Sequence, residues 1–492
     1  MRKRDVAVAT VTAVLVLAIG GLICWILYTH GIKGLSTPIM QTLTGNNSQY
    51  AEEPATMPED APKWDSEQTE SYPAIAAHMK LQGRTMRDED QITWLVQSGS
   101  AAEFTVTGTK AVLTLAGDGT ALGKENHKPR YAVYLDDQLL TDALMRTKEL
   151  EIPLFESNQP RTASVKVIQL SEAGYGAVGV KHVTVTSIYQ EPVQPIPAKD
   201  LRIEFIGDSI TCGYGVETKS EKDSFTTGTE NFTKTYAYLT ARMLNADYSA
   251  VCYSGYGIVS GWTGDGQKKP DSILPKYYNL IGILPKYKKQ WDFEHAEQND
   301  VVVINLGTND YSYLSPSFSS RSKEFIKGYV DFLKQVRQKN PNAYIFCTMG
   351  TMGGESVYGL IEQAVGEYST TTGDTRIKSY ASPVQTQEDG YGADYHPSVK
   401  TQQDSAQLLT EEICNTLLGG DLIVAIPQGI DHKCIRQRAQ VRLYRQIVIQ
   451  ILRRDFRIRM DHQWRRGFTI RQVCGLAFID LILIGCLPIG SI

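Results

Sequence analysis

The fold class predicted by the sequence is α/β: a three-layer α/β/α domain around a parallel sheet, preceded by an all-β domain of sandwich type. Three observations predict it. From Leu201 to Leu418 continuous apolar runs alternate with helix-length amphipathic stretches, the pattern of strands buried on both faces and joined by crossover helices. From Pro73 to Gln190 short alternating or β-branched runs recur between turn signals without a long helical period, the pattern of a sandwich. A chain of 492 residues also exceeds one ordinary domain.

Taken in order, the chain opens on Met1-Arg-Lys-Arg-Asp and continues with a mostly apolar, charge-free stretch from Val6 to Tyr28. Its length suits a membrane span, and the residues around Cys24 and Trp25 offer no small-x-small cleavage site. Residues 1–32 therefore read as a signal-anchor in preference to a cleaved signal, with the basic end inside and the remainder exported. Residues 33–72, rich in Pro, Thr, Ser, Asn and acids, read as a tether off the membrane.

Within residues 73–192 the expected strands are the runs beginning at Ile92, Ala102, Ala111, Tyr131, Ala163 and Val183. Pro192, Pro195 and Pro197 then mark a stiff linker. In residues 200–419 the expected strands are Ile203 to Ile206, Tyr248 to Cys252, Val301 to Leu306 and Tyr344 to Thr348, with helices over Thr233 to Leu244, Ser319 to Lys339 and Val399 to Leu418. The last segment, 420–492, breaks composition: from Asp421 on it carries eleven arginines and one lysine, Lys433. It fits a basic membrane-proximal tail before an apolar stretch, Val473 to Ile492, or an aberrant or disordered end, and the abruptness of the shift favours the second.

A formal net charge of −4 gives no reason to expect a nucleic-acid partner. The eight cysteines contain no Cys-x-x-Cys pair and no zinc-like spacing with histidine, so no metal site is expected. Cys212 and Cys252 both approach the loop described next and are a candidate disulfide, which spacing alone does not decide.

Gly207-Asp208-Ser209 ends the apolar run that starts at Leu201, and open α/β sheets keep their chemistry at the carboxyl ends of their strands. Acyl transfer by serine needs a nucleophile, a base within reach, a group orienting the base, and donors where the oxyanion develops. Ser209 is the candidate nucleophile. Of the eight histidines only His295 and His396 fall in the α/β domain. His295 lies in a polar stretch, whereas His396 sits in a loop of Gly, Asp and Tyr and precedes Pro397, which suits the first turn of the last helix. His396 is therefore the candidate base. Asp394, two residues earlier, or a backbone carbonyl orients it. The candidate oxyanion donors are the amides of Ser209 and Gly255 and the side chain of Asn309, in Gly307-Thr-Asn-Asp. Each is ordinary alone; four such elements at consecutive strand ends point to one site.

This set resembles the four blocks of the SGNH hydrolases, with Ser209, Gly255, Asn309 and His396 matching the residues that name them. The usual late block is Asp-x-x-His; here Ala393 holds the acid position and Asp394 departs from it. The longer strings from Gly207 to Val216, from Thr229 to Ala237 and from Asp394 to Ser398, with a β domain upstream, resemble carbohydrate esterase family 2 over about residues 74 to 418. The resemblance implies a jelly-roll domain followed by a flavodoxin-like SGNH domain, no cofactor, and deacetylation of O-acetylated polysaccharides such as xylan or mannan through a Ser-His dyad or triad. Tyr214, Tyr256, Trp262 and Tyr395 are then candidate stacking surfaces for sugar rings.

The expectation is an exported, membrane-anchored carbohydrate O-acetylesterase on the outer face of the cell membrane. The alternatives are an esterase on lipid or peptidoglycan acetyl groups and a surface glycan-binding protein with weak turnover.

Overall fold

The structure of the protein is a computed structural model and describes residue 57 and residues 60–417. The apolar segment 6–28, most of the expected tether and the arginine-rich segment 420–492 lie outside the described residues. Among the described residues no helix is long and apolar enough to cross a membrane.

The β domain is a ten-stranded antiparallel sheet. Its strands are β1 (Lys63–Pro73), β2 (Lys80–Gln82), β3 (Thr85–Arg87), β4 (Thr93–Leu95), β5 (Ala101–Gly117), β6 (Arg130–Leu135), β7 (Gln138–Leu144), β8 (Glu149–Gln169), β9 (Val178–Tyr189) and β10 (Val193–Pro195). Along β5, the apolar side chains of Phe104, Val106, Leu113 and Leu115 join those of Val165, Val167, Val183 and Val185 in one core. Two expectations are corrected here. Residues 63–72 are not tether but the strand β1, paired along β9 with Thr69 and Ser71 hydroxyls bonded to Thr186 and Thr184. Part of the proline linker is likewise a strand, since β10 pairs with β5. Polar composition masked β1, which is exposed along most of its length, and prolines masked β10.

The second domain is built on a five-stranded parallel sheet in the order β12-β11-β13-β14-β15, from β11 (Arg202–Gly207), β12 (Asp247–Cys252), β13 (Val301–Asn305), β14 (Tyr344–Thr348) and β15 (Ile377–Ser379). The helices are α1 (Ser209–Cys212), α2 (Tyr236–Met243), α3 (Thr308–Leu314), α4 (Phe318–Lys339), α5 (Glu355–Thr372) and α6 (Val399–Leu417). The central strands β11 and β13, buried except at Arg202, are the mainly apolar runs of the sequence, as a parallel sheet covered on both faces requires. The helix α5 was not anticipated. Gly359 and Gly366 interrupt its composition, yet Val357, Leu360, Ile361, Ala364, Val365 and Tyr368 form a buried stripe at helical spacing.

The two domains share a core, in which Met86, Trp94 and Val96 of the first pack with Ile206, Val251 and Tyr253 of the second. Buried polar contacts cross the same boundary. Arg84 pairs with Glu204 at 3.1 Å, Lys80 with Asp247 at 2.8 Å, and the Gln97 side-chain amide donates to the Tyr253 hydroxyl at 2.6 Å. Such groups must be satisfied where they lie, so they fix the register between the domains as well as burying surface.

Candidate active site

The site begins where β11 stops. Gly207 ends the strand, and a Cβ there would meet Thr211 Oγ1 at 2.0 Å, so only glycine lets α1 start this close to the sheet. Asp208 caps α1 by accepting from the Ile210 amide at 3.0 Å. Ser209 is the first residue of the helix, where an amide has no intrahelical partner.

The loop after Gly390 brings His396 to that serine. Imidazole Nε2 lies 2.8 Å from Ser209 Oγ, and Nδ1 lies 3.0 Å from the Ala393 carbonyl oxygen. A carbonyl only accepts, so this contact assigns the proton to Nδ1 and leaves Nε2 as the acceptor facing the serine. Burial pushes the His396 pKa down to about 4, although hydrogen bonding and the nearby Asp394 charge oppose the shift. The imidazole is therefore neutral at pH 7, as a base must be.

Asp394 does not bond the imidazole, a correction to its candidacy as orienting acid. Its Oδ2 accepts from the Tyr214 hydroxyl at 2.8 Å. With Asp394 and Tyr395 both at positive φ, 49° and 60°, the turn sends the carboxylate outward and offers the Ala393 carbonyl to the ring instead.

The candidate donors sit on the neighbouring strand ends. Gly255, after β12, has φ +81°, and a Cβ there would meet nothing within 4 Å; glycine serves its conformation, not its space. Asn309 Nδ2, on α3, donates to Asp208 Oδ2 at 3.2 Å and to the Tyr256 carbonyl at 2.9 Å. Both of its protons are therefore held in the free site, and contact with an oxyanion requires exchanging one of them.

Of the four aromatic candidates, two are presented outward: Trp262 is 64% exposed and Tyr395 51%. The other two are packed among other rings. Tyr214 is stacked between His396 and Phe225, both centroid distances being 4.2 Å. Tyr256 is half-buried against Tyr253 and Tyr277.

Sequence reasoning passed over two acids. Asp310 is fully buried and accepts from the amides of Ile258 and Val259 at 2.8 Å and of Ser260 at 3.1 Å, so it holds the loop that follows Gly255. Burial raises its pKa to about 6. Burial, with the Asp310 charge as a lesser cause, raises that of Asp208 to about 7. The acid of the Gly307-Thr-Asn-Asp block was the available signal for the first.

Cys212 and Cys252 are free thiols, as are Cys347 and Cys414, which corrects the candidate disulfide. Among the described residues one group brings potential metal ligands together: Glu172, Cys212 and Glu230, all buried, with one ligand atom each within 4.8 Å of the others. The Ser254 amide donates to Glu172 Oε2 at 2.8 Å and the Glu172 amide to Glu230 Oε2 at 3.0 Å, so the carboxyls are already engaged in a hydrogen-bond network.

Comparison with known proteins agrees with this construction. The GDSL-like lipase/acylhydrolase family matches residues 205–404, and the carbohydrate esterase 2 N-terminal family matches residues 81–212. The cellulase/esterase CelE of Acetivibrio thermocellus is 39% identical over 220 residues, which are 44% of this chain and 26% of that protein. An acetylxylan esterase / glucomannan deacetylase of Cellvibrio japonicus is 26% identical over 346 residues, 70% of this chain and 90% of the relative. A solved family two carbohydrate esterase from Clostridium thermocellum, in complex with cellohexaose, superposes with a TM-score of 0.60 at 29% identity, covering 69% of this chain and 99% of that one. With its GDSL-type block on a parallel sheet and an antiparallel β domain before it, the chain is similar over residues 81–404 to the SGNH hydrolases of carbohydrate esterase family 2.

Proposed function

We propose that the protein is a serine carbohydrate O-acetylesterase that removes acetyl groups from xylan- or mannan-type polysaccharides through a Ser209–His396 dyad. The observation that carries this reading is the 2.8 Å contact between Ser209 Oγ and His396 Nε2, with Nδ1 tied to a backbone carbonyl. Ser209 Oγ attacks the acetyl carbonyl as His396 Nε2 takes its proton. The amides of Ser209 and Gly255 and the Asn309 side chain receive the developing oxyanion. The imidazolium then protonates the departing sugar oxygen, and water deprotonated by His396 releases acetate from Ser209.

Sugar specificity is supported from two sides. Trp262 is exposed and its amide donates to the Gly255 carbonyl at 2.8 Å, which ties an exposed aromatic residue to the backbone of the proposed oxyanion donor. The relatives named above include an acetylxylan esterase / glucomannan deacetylase and an esterase solved with cellohexaose. The antiparallel β domain is read as a jelly roll, and residues 6–28 as the anchor that keeps the enzyme on the outer face of the membrane.

The test is acetate release from acetylated xylan and acetylated glucomannan by the full chain, with Ser209→Ala alongside. The expected result is release that disappears in the variant. Folded wild-type protein that releases no acetate from either polymer overturns the reading; if it still binds the polymer, the function is glycan binding, and if it cleaves lipid or peptidoglycan acetyl esters instead, the substrate class changes.

A further inference from the structure

We propose that Glu172, contributed by the β domain, is a positioning residue of the active site, holding the Ser254 amide so that the adjoining Gly255 amide points at the reacting carbonyl. The inference rests on the esterase reading.

Glu172 lies in the connection from β8 to β9, and its side chain is almost wholly buried. Its Oε2 accepts from the Ser254 amide at 2.8 Å and lies 3.8 Å from the Cys212 thiol, its donor. The peptide unit that carries the Gly255 N–H is therefore bounded by two anchors. Ser254 is fixed from the β domain, and the Gly255 carbonyl accepts from Trp262. A glycine at φ +81° with no Cβ contact available to steady it has little of its own to define its direction. External bonds must supply that definition.

The setting of Glu172 argues for more than packing. Its own amide donates to Glu230 Oε2 at 3.0 Å, and Glu230 is fully buried with Oε1 lacking a hydrogen-bond partner. Burial raises the pKa of both carboxyls, and the Glu172 charge further opposes ionisation of Glu230. Maintaining two such acids at a domain boundary is costly, and what Glu172 secures there is the strand end next to a proposed oxyanion donor. The same turn reaches the base. Tyr175 packs on Phe225 at 5.2 Å, Phe225 on Tyr214 at 4.2 Å, and Tyr214 on His396 at 4.2 Å. One β-domain turn thus supports both halves of the dyad site.

The experiment measures kcat and KM of the full chain on 4-nitrophenyl acetate and acetylated xylan for wild type, Glu172→Gln, Glu172→Met and Ser209→Ala. Met fills the volume but accepts no amide hydrogen bond of comparable strength; Gln keeps an acceptor. The expected result is a kcat lower by about 100-fold in Glu172→Met, the scale of a misplaced site, with KM within about 2-fold. Glu172→Gln should stay within about 3-fold of wild type, since mutational effects that spare the bond are small. Wild-type kcat in Glu172→Met, or equal losses in both variants, overturns the proposal. If Glu172→Met fails to fold, amide hydrogen exchange on wild type decides: protection at Ser254 is expected, and exchange at the rate of a free amide overturns it. Absence of Ser209-dependent hydrolysis in wild type defeats the esterase reading instead.

Discussion

The ring of Tyr214 lies on the ring of His396, centroids 4.2 Å apart and planes 29° from parallel, while its hydroxyl donates to Asp394. The carboxylate that proximity in sequence would assign to the imidazole is thereby held on a tyrosine. The imidazole is oriented by a carbonyl below and an aromatic face beside it.

Removing the Asp394 carboxylate should consequently be mild. Asp394→Asn is expected to lower kcat by less than about 10-fold, whereas loss of a true triad aspartate costs about 10⁴. Steady-state kinetics on 4-nitrophenyl acetate decide it, and a loss above about 1000-fold would make Asp394 the orienting acid after all.

The pH profile should have an unusually low acid limb. Burial lowers the His396 pKa from its ordinary 6.5 to about 4, and the neutral ring is the base, so kcat/KM should hold from pH 7 down past 6 and fall only near 4. Stability follows with a definite sign. Between those two values the unfolded chain binds the proton and the folded chain does not, so this group's contribution is lost on acidification from 6.5 toward 4. A kinetic break near 6.5 would show that the ring is solvated in the working enzyme.

Asp310 should matter to stability and rate together. Asp310→Ala leaves three buried amides, those of Ile258, Val259 and Ser260, without their acceptor, a loss of at least about 3 kcal/mol at about 1 kcal/mol each. Denaturant unfolding should report it, and kcat should fall as the loop after Gly255 loosens. A variant as stable as wild type would mean that the loop is held by other contacts.

Trp262 should affect polymer binding alone. With 64% of its surface exposed, Trp262→Ala removes little packing, so the melting temperature and kcat on 4-nitrophenyl acetate should not change. KM for acetylated polysaccharide should rise about 10-fold, the equivalent of about 1.4 kcal/mol. Equal kinetics on the polymer would remove the ring from the sugar site.

Much of this protein was legible in one dimension because the signals are local. An apolar run buried on both faces reads as a parallel strand wherever it occurs, and Gly207-Asp208-Ser209 and Asn309 each close or follow such a run or open a helix, while His396 precedes the last helix by three residues. The sequence therefore determined four of the five strands of the parallel sheet, with the short edge strand β15 (Ile377–Ser379) left out, the strand ends at which chemistry collects, and the identities of the nucleophile and base candidates. Whatever depends on which atom faces which was decided only by the tertiary structure. The turn at positive φ through Asp394 and Tyr395 sends one carboxylate outward and turns a carbonyl toward the imidazole; composition is the same either way. Polar residues 63–72 become a strand because β9 offers them a partner. Glu172 meets Ser254 across 82 residues and a domain boundary, a contact that no periodicity encodes, because hydrogen-bond direction and burial exist only once the chain has closed on itself.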